Sequence, residues 1–170
     1  METIVLGGGC FWCTEAVFRR VKGVTKVTPG YAGGHLVDPN YRQVCTGATG
    51  HAEVVQIEFD PSRISMEEIL EIFFETHDPT TINRQGHDGG TQYRSVIFWK
   101  DQKQKEATEK VLQKIQVKFS QKIVTEIQSL EHFYPAEEYH HNYFERHPEN
   151  PYCQVVIRPK LNKGKEMKEF

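Results

Sequence analysis

Two of the four cysteines, Cys10 and Cys13, flank Phe11 and Trp12 at the end of the run Gly7-Gly8-Gly9-Cys10-Phe11-Trp12-Cys13. The apolar, β-branched Thr3-Ile4-Val5-Leu6 precedes this run and has the character of a buried strand. After it, Ala16, Val17, Phe18 and Val21 fall roughly on one helical face. Cys10 is thus placed at or just before a first helical turn, where unpaired N–H groups and the helix dipole favour an anion. The anion would be a thiolate, so a nucleophilic Cys10 with a lowered pKa is the expectation. Free cysteine is also a small buried hydrophobe, and Cys45, beside Val44, is expected to be a packing thiol of that kind. A zinc site needs a second cysteine pair, and Cys45 and Cys153 stand alone. No His-Glu-x-x-His occurs, and adjacent His140 and His141 would diverge on a helix.

A proton donor is the second chemical requirement. Glu53 immediately precedes Val54-Val55-Gln56-Ile57-Glu58-Phe59, which alternates as a half-buried strand. A carboxyl drawn inward there is kept protonated by desolvation and can act as an acid at neutral pH. The other polar and aromatic groups collect in three long stretches without strong periodicity, His35 to Glu53, Asp78 to Arg94 and His132 to Phe170. Such loops usually carry function. They contain Tyr41 and His51, then Asp88 and Tyr93, then Tyr134, Glu137, Glu138, Tyr139, His140 and His141.

The elements that must hold these groups can be read in outline. Val24 to Gly33 is a strand ending in a glycine turn. Ser65-Met66-Glu67-Glu68 forms a capping box with Ile64 and Ile69 as its hydrophobic staple, and Asp78-Pro79 stops that helix. Ser95 to Trp99 is a strand, Asp101 to about Phe119 a helix, and Ile123 to Ile127 a short strand. Irregular alternation of this kind suits an α+β fold, a two-layer sandwich of helices on a mainly antiparallel mixed sheet. The 170 residues make one domain by size, expected over 1–170, and large enough to need no disulfide staples.

A net charge of −2 argues against a nucleic-acid partner. The last residues, from about 160, carry Lys160, Lys163, Lys165 and Lys168 and are expected to be a basic, solvated tail. No stretch approaches the roughly 20 apolar residues of a membrane span, and no positively charged segment with a long apolar run opens the chain. A cytoplasmic protein without a membrane partner is expected.

Four blocks carry a family resemblance. They are Gly8-Gly9-Cys10-Phe11-Trp12, Gly30-Tyr31-x-Gly33-Gly34, the segment from Tyr41 through Cys45 and Gly50-His51-Ala52-Glu53, and the segment from His77-Asp78-Pro79 through Asp88 to Tyr93-Arg94-Ser95. In order and content they closely resemble the A-type peptide methionine sulfoxide reductases, from about residue 3 to residue 158. The lysine-rich end, with no cysteine after Cys153, departs from the glycine-rich, cysteine-bearing tail of many members.

The resemblance implies a ferredoxin-like core with an irregular C-terminal segment. It implies that Cys10 attacks the sulfur of a methionine S-sulfoxide while Glu53 protonates the oxygen. Tyr41 and Tyr93 would donate hydrogen bonds to that oxygen, Phe11 and Trp12 would wall a pocket for the methyl group, and Asp88 would position the substrate backbone or a bound water. The resulting sulfenic acid would be resolved by Cys153 or Cys13, Cys153 being favoured narrowly, and thioredoxin or a similar dithiol would restore the thiols. No cofactor and no metal are implied. A thioredoxin-like oxidoreductase fits less well, because Thr28-Pro29 follows Cys13 by only fifteen residues with no helix between. A zinc-binding interaction module is the other alternative.

Overall fold

The computed structural model describes residues 1–165, with side chains through residue 161. Its strands are β1 (Glu2–Gly8), β2 (Val24–Ala32), β3 (Ala52–Phe59), the two-residue β4 (Arg84–Gln85) and β5 (Asp88–Gly89), β6 (Ser95–Trp99), β7 (Glu126–Ser129) and β8 (Phe133–Pro135). Its helices are α1 (Phe11–Phe18), α2 (Tyr41–Cys45), α3 (Met66–Glu75), α4 (Gln102–Gln116), α5 (Tyr143–Arg146) and α6 (Arg158–Lys165).

Six strands form one sheet in the order β7-β6-β1-β3-β2-β8, antiparallel except for the parallel β6–β7 pair. Its inner four, β6-β1-β3-β2, have the ferredoxin-like order, with α1 and α3 as the crossovers. The period-2 alternation of the strands sorts their side chains. Ile4, Leu6, Val55, Ile57, Phe59 and Ile97 face the helices, whereas Val5, Ala52, Val54, Val96 and Phe98 face the other side under Leu130 and Phe133. Each fully buried Leu, Ile or Phe contributes about 1.5–3 kcal/mol, so β1, packed on both faces, is a rigid base for the turn at its end.

That turn needs its glycines. A Cβ on Gly8 would lie 2.9 Å from the Phe73 ring and 3.1 Å from His77, so the last turn of α3 could not approach β1 as closely. Gly9 adopts φ +102°, a conformation that L side chains rarely take. The capping box is formed: Ser65 Oγ accepts from Glu68 N–H while Glu68 Oε1 accepts from Ser65 N–H.

Three expectations are corrected. The strand expected at Ile123–Ile127 pairs only from Glu126. Before it, Ile123 N–H donates to Gln116 Oε1 and Val124 N–H to the Pro79 carbonyl, so that stretch is tied to the end of α4 and to the loop after α3 and not to a neighbouring strand. The C-terminal segment, expected to be irregular, contains α5 and then runs helically from Pro151 to Lys165, with a widened π-helical turn at Cys153–Ile157. Cys153, Ile157 and Leu161 are buried along it, so the expected solvated tail is helical as far as Lys165. Residues 166–170, including Lys168, lie outside the described residues. Finally, Cys45 is exposed at the end of α2, whereas Val44 beside it is fully buried.

Candidate active site

Cys10 caps α1 from the N-terminal side, and its carbonyl accepts the first helical hydrogen bonds, from Cys13 N–H at 3.0 Å and Thr14 N–H at 3.3 Å. The neighbouring free N–H, that of Phe11, points at Glu53 Oε1, 3.1 Å away. The helix start therefore spends one of its orphan donors on a carboxyl group. Glu53 is 1% exposed, and its second oxygen, Oε2, has no partner. Burial dominates its titration and pushes its pKa up to about 8, with the Phe11 hydrogen bond opposing and Asp88 adding to the rise. A protonated carboxyl beside the thiol is the state this geometry favours at neutral pH.

The thiols behave differently from the expectation. Burial, the hydrogen bond to Cys13 and the charge of Glu53 push the Cys10 thiol well above its ordinary value, opposed by the Trp12 N–H. Cys13 is held below the ordinary value, first by the hydrogen bond from Cys10 and then by Lys160 and Tyr152. Of the two coupled thiols, Cys10 holds its proton the more tightly. The expected lowering of Cys10 is overturned because its site is dry and faces Glu53, which outweighs the end of a helix only eight residues long.

The expected hydroxyl donors lie around the same carboxyl. Tyr41, at the start of α2, and Tyr93, in the turn before β6, are half-buried, and burial and the nearness of Glu53 raise both phenols, keeping them protonated. Tyr93 also feels Cys10. Two polar clamps, one buried and one half-buried, hold the loops that carry them. Arg94 donates to the Gly50 and Thr91 carbonyls and pairs with Glu126, and Glu137 accepts from Tyr31 Oη at 2.8 Å and Tyr41 N–H at 2.9 Å. Tyr31 sits directly opposite Glu53 in the β2–β3 register.

The two aromatic residues after Cys10 part company. Phe11 has no exposure and is covered by Tyr31, Tyr41 and His140, so it forms a back wall. Trp12 is half-buried and stacks on Tyr143, with ring centroids 3.8 Å apart and 5° between planes. Its indole N–H donates to His140 Nδ1 at 3.0 Å. Glu15, buried on α1, fixes that segment by accepting Asn142 N–H at 2.9 and 3.0 Å, where Asn142 takes a left-handed φ of 56°.

Asp88, in the β4–β5 hairpin, accepts a 2.5 Å hydrogen bond from Tyr152 Oη, and the same hydroxyl lies 3.5 Å from Cys13 Sγ. Sequence reasoning gave Tyr152 no role, although it abuts Cys153. Gln85 and His77 also matter. Gln85 packs under Gly9 and bridges the Asp78 backbone, while His77 bonds the Phe73 carbonyl and Ser95 Oγ. A cleft of about 870 Å³ opens on Cys10 between His77, Gln85, Asp88 and Tyr152. Glu53, Tyr41, Tyr93, Phe11 and Trp12 stand outside its walls. Cys153 is fully buried on the C-terminal helix, where burial raises its thiol and Cys13 is among the groups it feels.

The model of the peptide methionine sulfoxide reductase family matches residues 2–169. The chain belongs to this family. A peptide methionine sulfoxide reductase MsrA of Saccharolobus solfataricus is 58% identical over 163 residues, covering 96% of this chain and 92% of the relative. Among solved structures, reduced Mxr1 from Saccharomyces cerevisiae superposes with a TM-score of 0.85 at 38% identity, covering 89% of this chain and 88% of that one. Mxr1 in complex with Trx2 matches with a TM-score of 0.61 at 29% identity, covering 84% of each chain.

Proposed function

We propose that this chain reduces methionine S-sulfoxide, free or in polypeptides, with Cys10 as nucleophile and Glu53 as acid. The observation that carries the reading is the buried Glu53 carboxyl, anchored by Phe11 N–H on one oxygen and free on the other. As the Cys10 sulfur attacks, the sulfoxide oxygen takes the Glu53 proton, and Tyr41 and Tyr93 donate hydrogen bonds to it. The resulting hydroxyl passes from the substrate sulfur to the Cys10 sulfur: the substrate S–O bond and the transient Cys10–substrate bond break, a Cys10 S–O bond forms, methionine leaves with two more electrons, and Cys10 is left as a sulfenic acid. The Cys10 proton returns to Glu53, so the step needs no outside proton. Trp12 forms the apolar wall for the methyl group with Phe11 behind it, and Asp88 takes polar groups of the substrate.

Cys13 resolves the sulfenic acid first in this reading, because it is already hydrogen-bonded to Cys10 and is the more acidic of the two. Cys153, favoured from sequence, stands next in line. Thioredoxin or a similar dithiol then regenerates the thiols, a step supported by the likeness to Mxr1 in its complex with Trx2. Among the described residues no helix is long and apolar enough to cross a membrane, and the four cysteines are all unpaired. The free thiols support work in the reducing cytoplasm. The deciding experiment supplies a racemic peptide sulfoxide and dithiothreitol. Selective loss of the S epimer is expected, and loss of the R epimer or of neither refutes the reading.

A further inference from the structure

We infer that Lys160 is the positioning residue of the recycling thiol, its ammonium reaching from α6 to the cavity beside Cys13 and holding that sulfur as the thiolate that attacks oxidised Cys10. The inference rests on the reading that Cys13 resolves Cys10. Its footing is geometric. A small cavity between α1 and α3 is lined by Gly8, Cys13, Thr14, Phe73, His77 and Lys160 among others, and among the described residues Lys160 is the one permanently charged group on its walls. Lys160 also lines the larger cleft that opens on Cys10, so it borders a cavity at each of the two thiols. The buried Ile157 and Leu161 anchor the helix on either side of it.

Of the other groups facing Cys13, Tyr152 favours the thiolate less than Lys160 does, and none carries a permanent positive charge. Tyr152 Oη lies 3.5 Å from Cys13 Sγ, but its single proton is given to Asp88 Oδ2 at 2.5 Å. Asp88 itself is an acceptor and opposes a thiolate. His77 has both ring nitrogens engaged, by the Phe73 carbonyl and Ser95 Oγ, and burial keeps it neutral with a pKa of about 4. Glu53 and Cys153 are held protonated by burial. Cys10 supports Cys13 by donating its thiol proton in the reduced protein, and that proton is gone once Cys10 is a sulfenic acid. Lys160 is then the remaining cation. In the step itself the Cys13 thiolate attacks Cys10 Sγ, an S–S bond forms and the S–O bond breaks. The hydroxide leaves as water on taking the proton that Cys13 had released, while Cys13 is oxidised and the Cys10 sulfur reduced.

The test mixes the full reduced chain with one equivalent of peptide methionine sulfoxide, quenches in acid, and follows sulfenic acid and disulfide by mass from pH 5.5 to 9.5. In the wild type, conversion to disulfide should be half-maximal near pH 7, where Cys13 ionises. Lys160→Gln should move the midpoint up by about one pH unit, slow conversion roughly 5- to 10-fold at pH 7, and meet the wild-type rate at pH 9.5. Lys160→Arg should restore the wild-type profile. A Lys160→Gln profile that superposes on the wild type overturns the inference. So does equal slowing in Gln and Arg variants that persists at pH 9.5, which marks a packing role. Two outcomes strike the underlying reading instead and take the inference with it: no methionine released by the wild type, or a first disulfide that maps to Cys10 and Cys153.

Discussion

Glu53 offers one oxygen to the backbone N–H of Phe11, the residue after Cys10, at 3.1 Å and keeps the other buried and unpartnered. An unpaired buried carboxyl oxygen costs stability, and the cost is least when the group stays protonated. The arrangement holds an acid ready at a pH where ordinary glutamates have lost their proton.

Glu53→Gln keeps size and most hydrogen bonding but cannot deliver a proton. Methionine release in a single turnover is expected to slow roughly 10²- to 10⁴-fold. In the wild type the same rate should fall as pH rises through about 8, where Glu53 ionises. Rapid-quench measurement from pH 6 to 10 checks both, and an undiminished Gln variant would remove Glu53 as the donor.

The same substitution should change stability with the opposite benefit. A carboxyl whose folded pKa is raised binds more protons folded than unfolded, so wild-type stability declines from about the ordinary glutamate pKa up to about 8. Glu53→Gln lacks that decline. It should be more stable than wild type by on the order of 2–4 kcal/mol at pH 9, with the difference shrinking toward pH 5. Urea titrations at the two pH values measure it.

Cys10→Ser should release no methionine. Cys13→Ser should release one equivalent and then hold a sulfenic acid that a dimedone-type probe traps. Turnover with thioredoxin that survives intact in Cys13→Ser would transfer the resolving role to Cys153.

Trp12→Ala removes the half-buried wall stacked on Tyr143. A methyl group held by such a wall contributes about 1 kcal/mol of discrimination. The S-over-R preference in kcat/KM should weaken several-fold, and an unchanged ratio would make Trp12 a packing residue alone.

Glu15→Ala strips the acceptor from Asn142 N–H, which both carboxylate oxygens now serve at 2.9 and 3.0 Å. Leaving that donor unsatisfied costs about 1–3 kcal/mol. Thermal unfolding should register the loss, with faster amide exchange around residues 140–143 than elsewhere.

Local physics made much of this legible in the sequence. Glycines before a thiol and a helical stripe after it can only be a strand-to-helix turn, and Ser65 with Glu68 closes a cap within four residues. Glu53 betrayed itself by opening an apolar strand. The C-terminal helix did not, because Pro159 and Gly164 look like breakers. Proline removes one helical hydrogen bond, and the widened turn at Cys153–Ile157 ends two residues before it. The spacing of Cys153, Ile157 and Leu161 at four-residue intervals was the available signal. The acidity of the two thiols was not legible, since it depends on a desolvated carboxyl 43 residues from Cys10 and a hydroxyl 139 residues from Cys13.

The widened turn that begins at Cys153 has a kinetic consequence. That sulfur is sealed in the stripe which fastens the last helix to the body of the protein, so it can exchange only when the helix lifts. Its chemistry is therefore clocked by a folding event: electrons routed through Cys153 move no faster than the local opening of the helix, and anything that clamps the helix down closes the route.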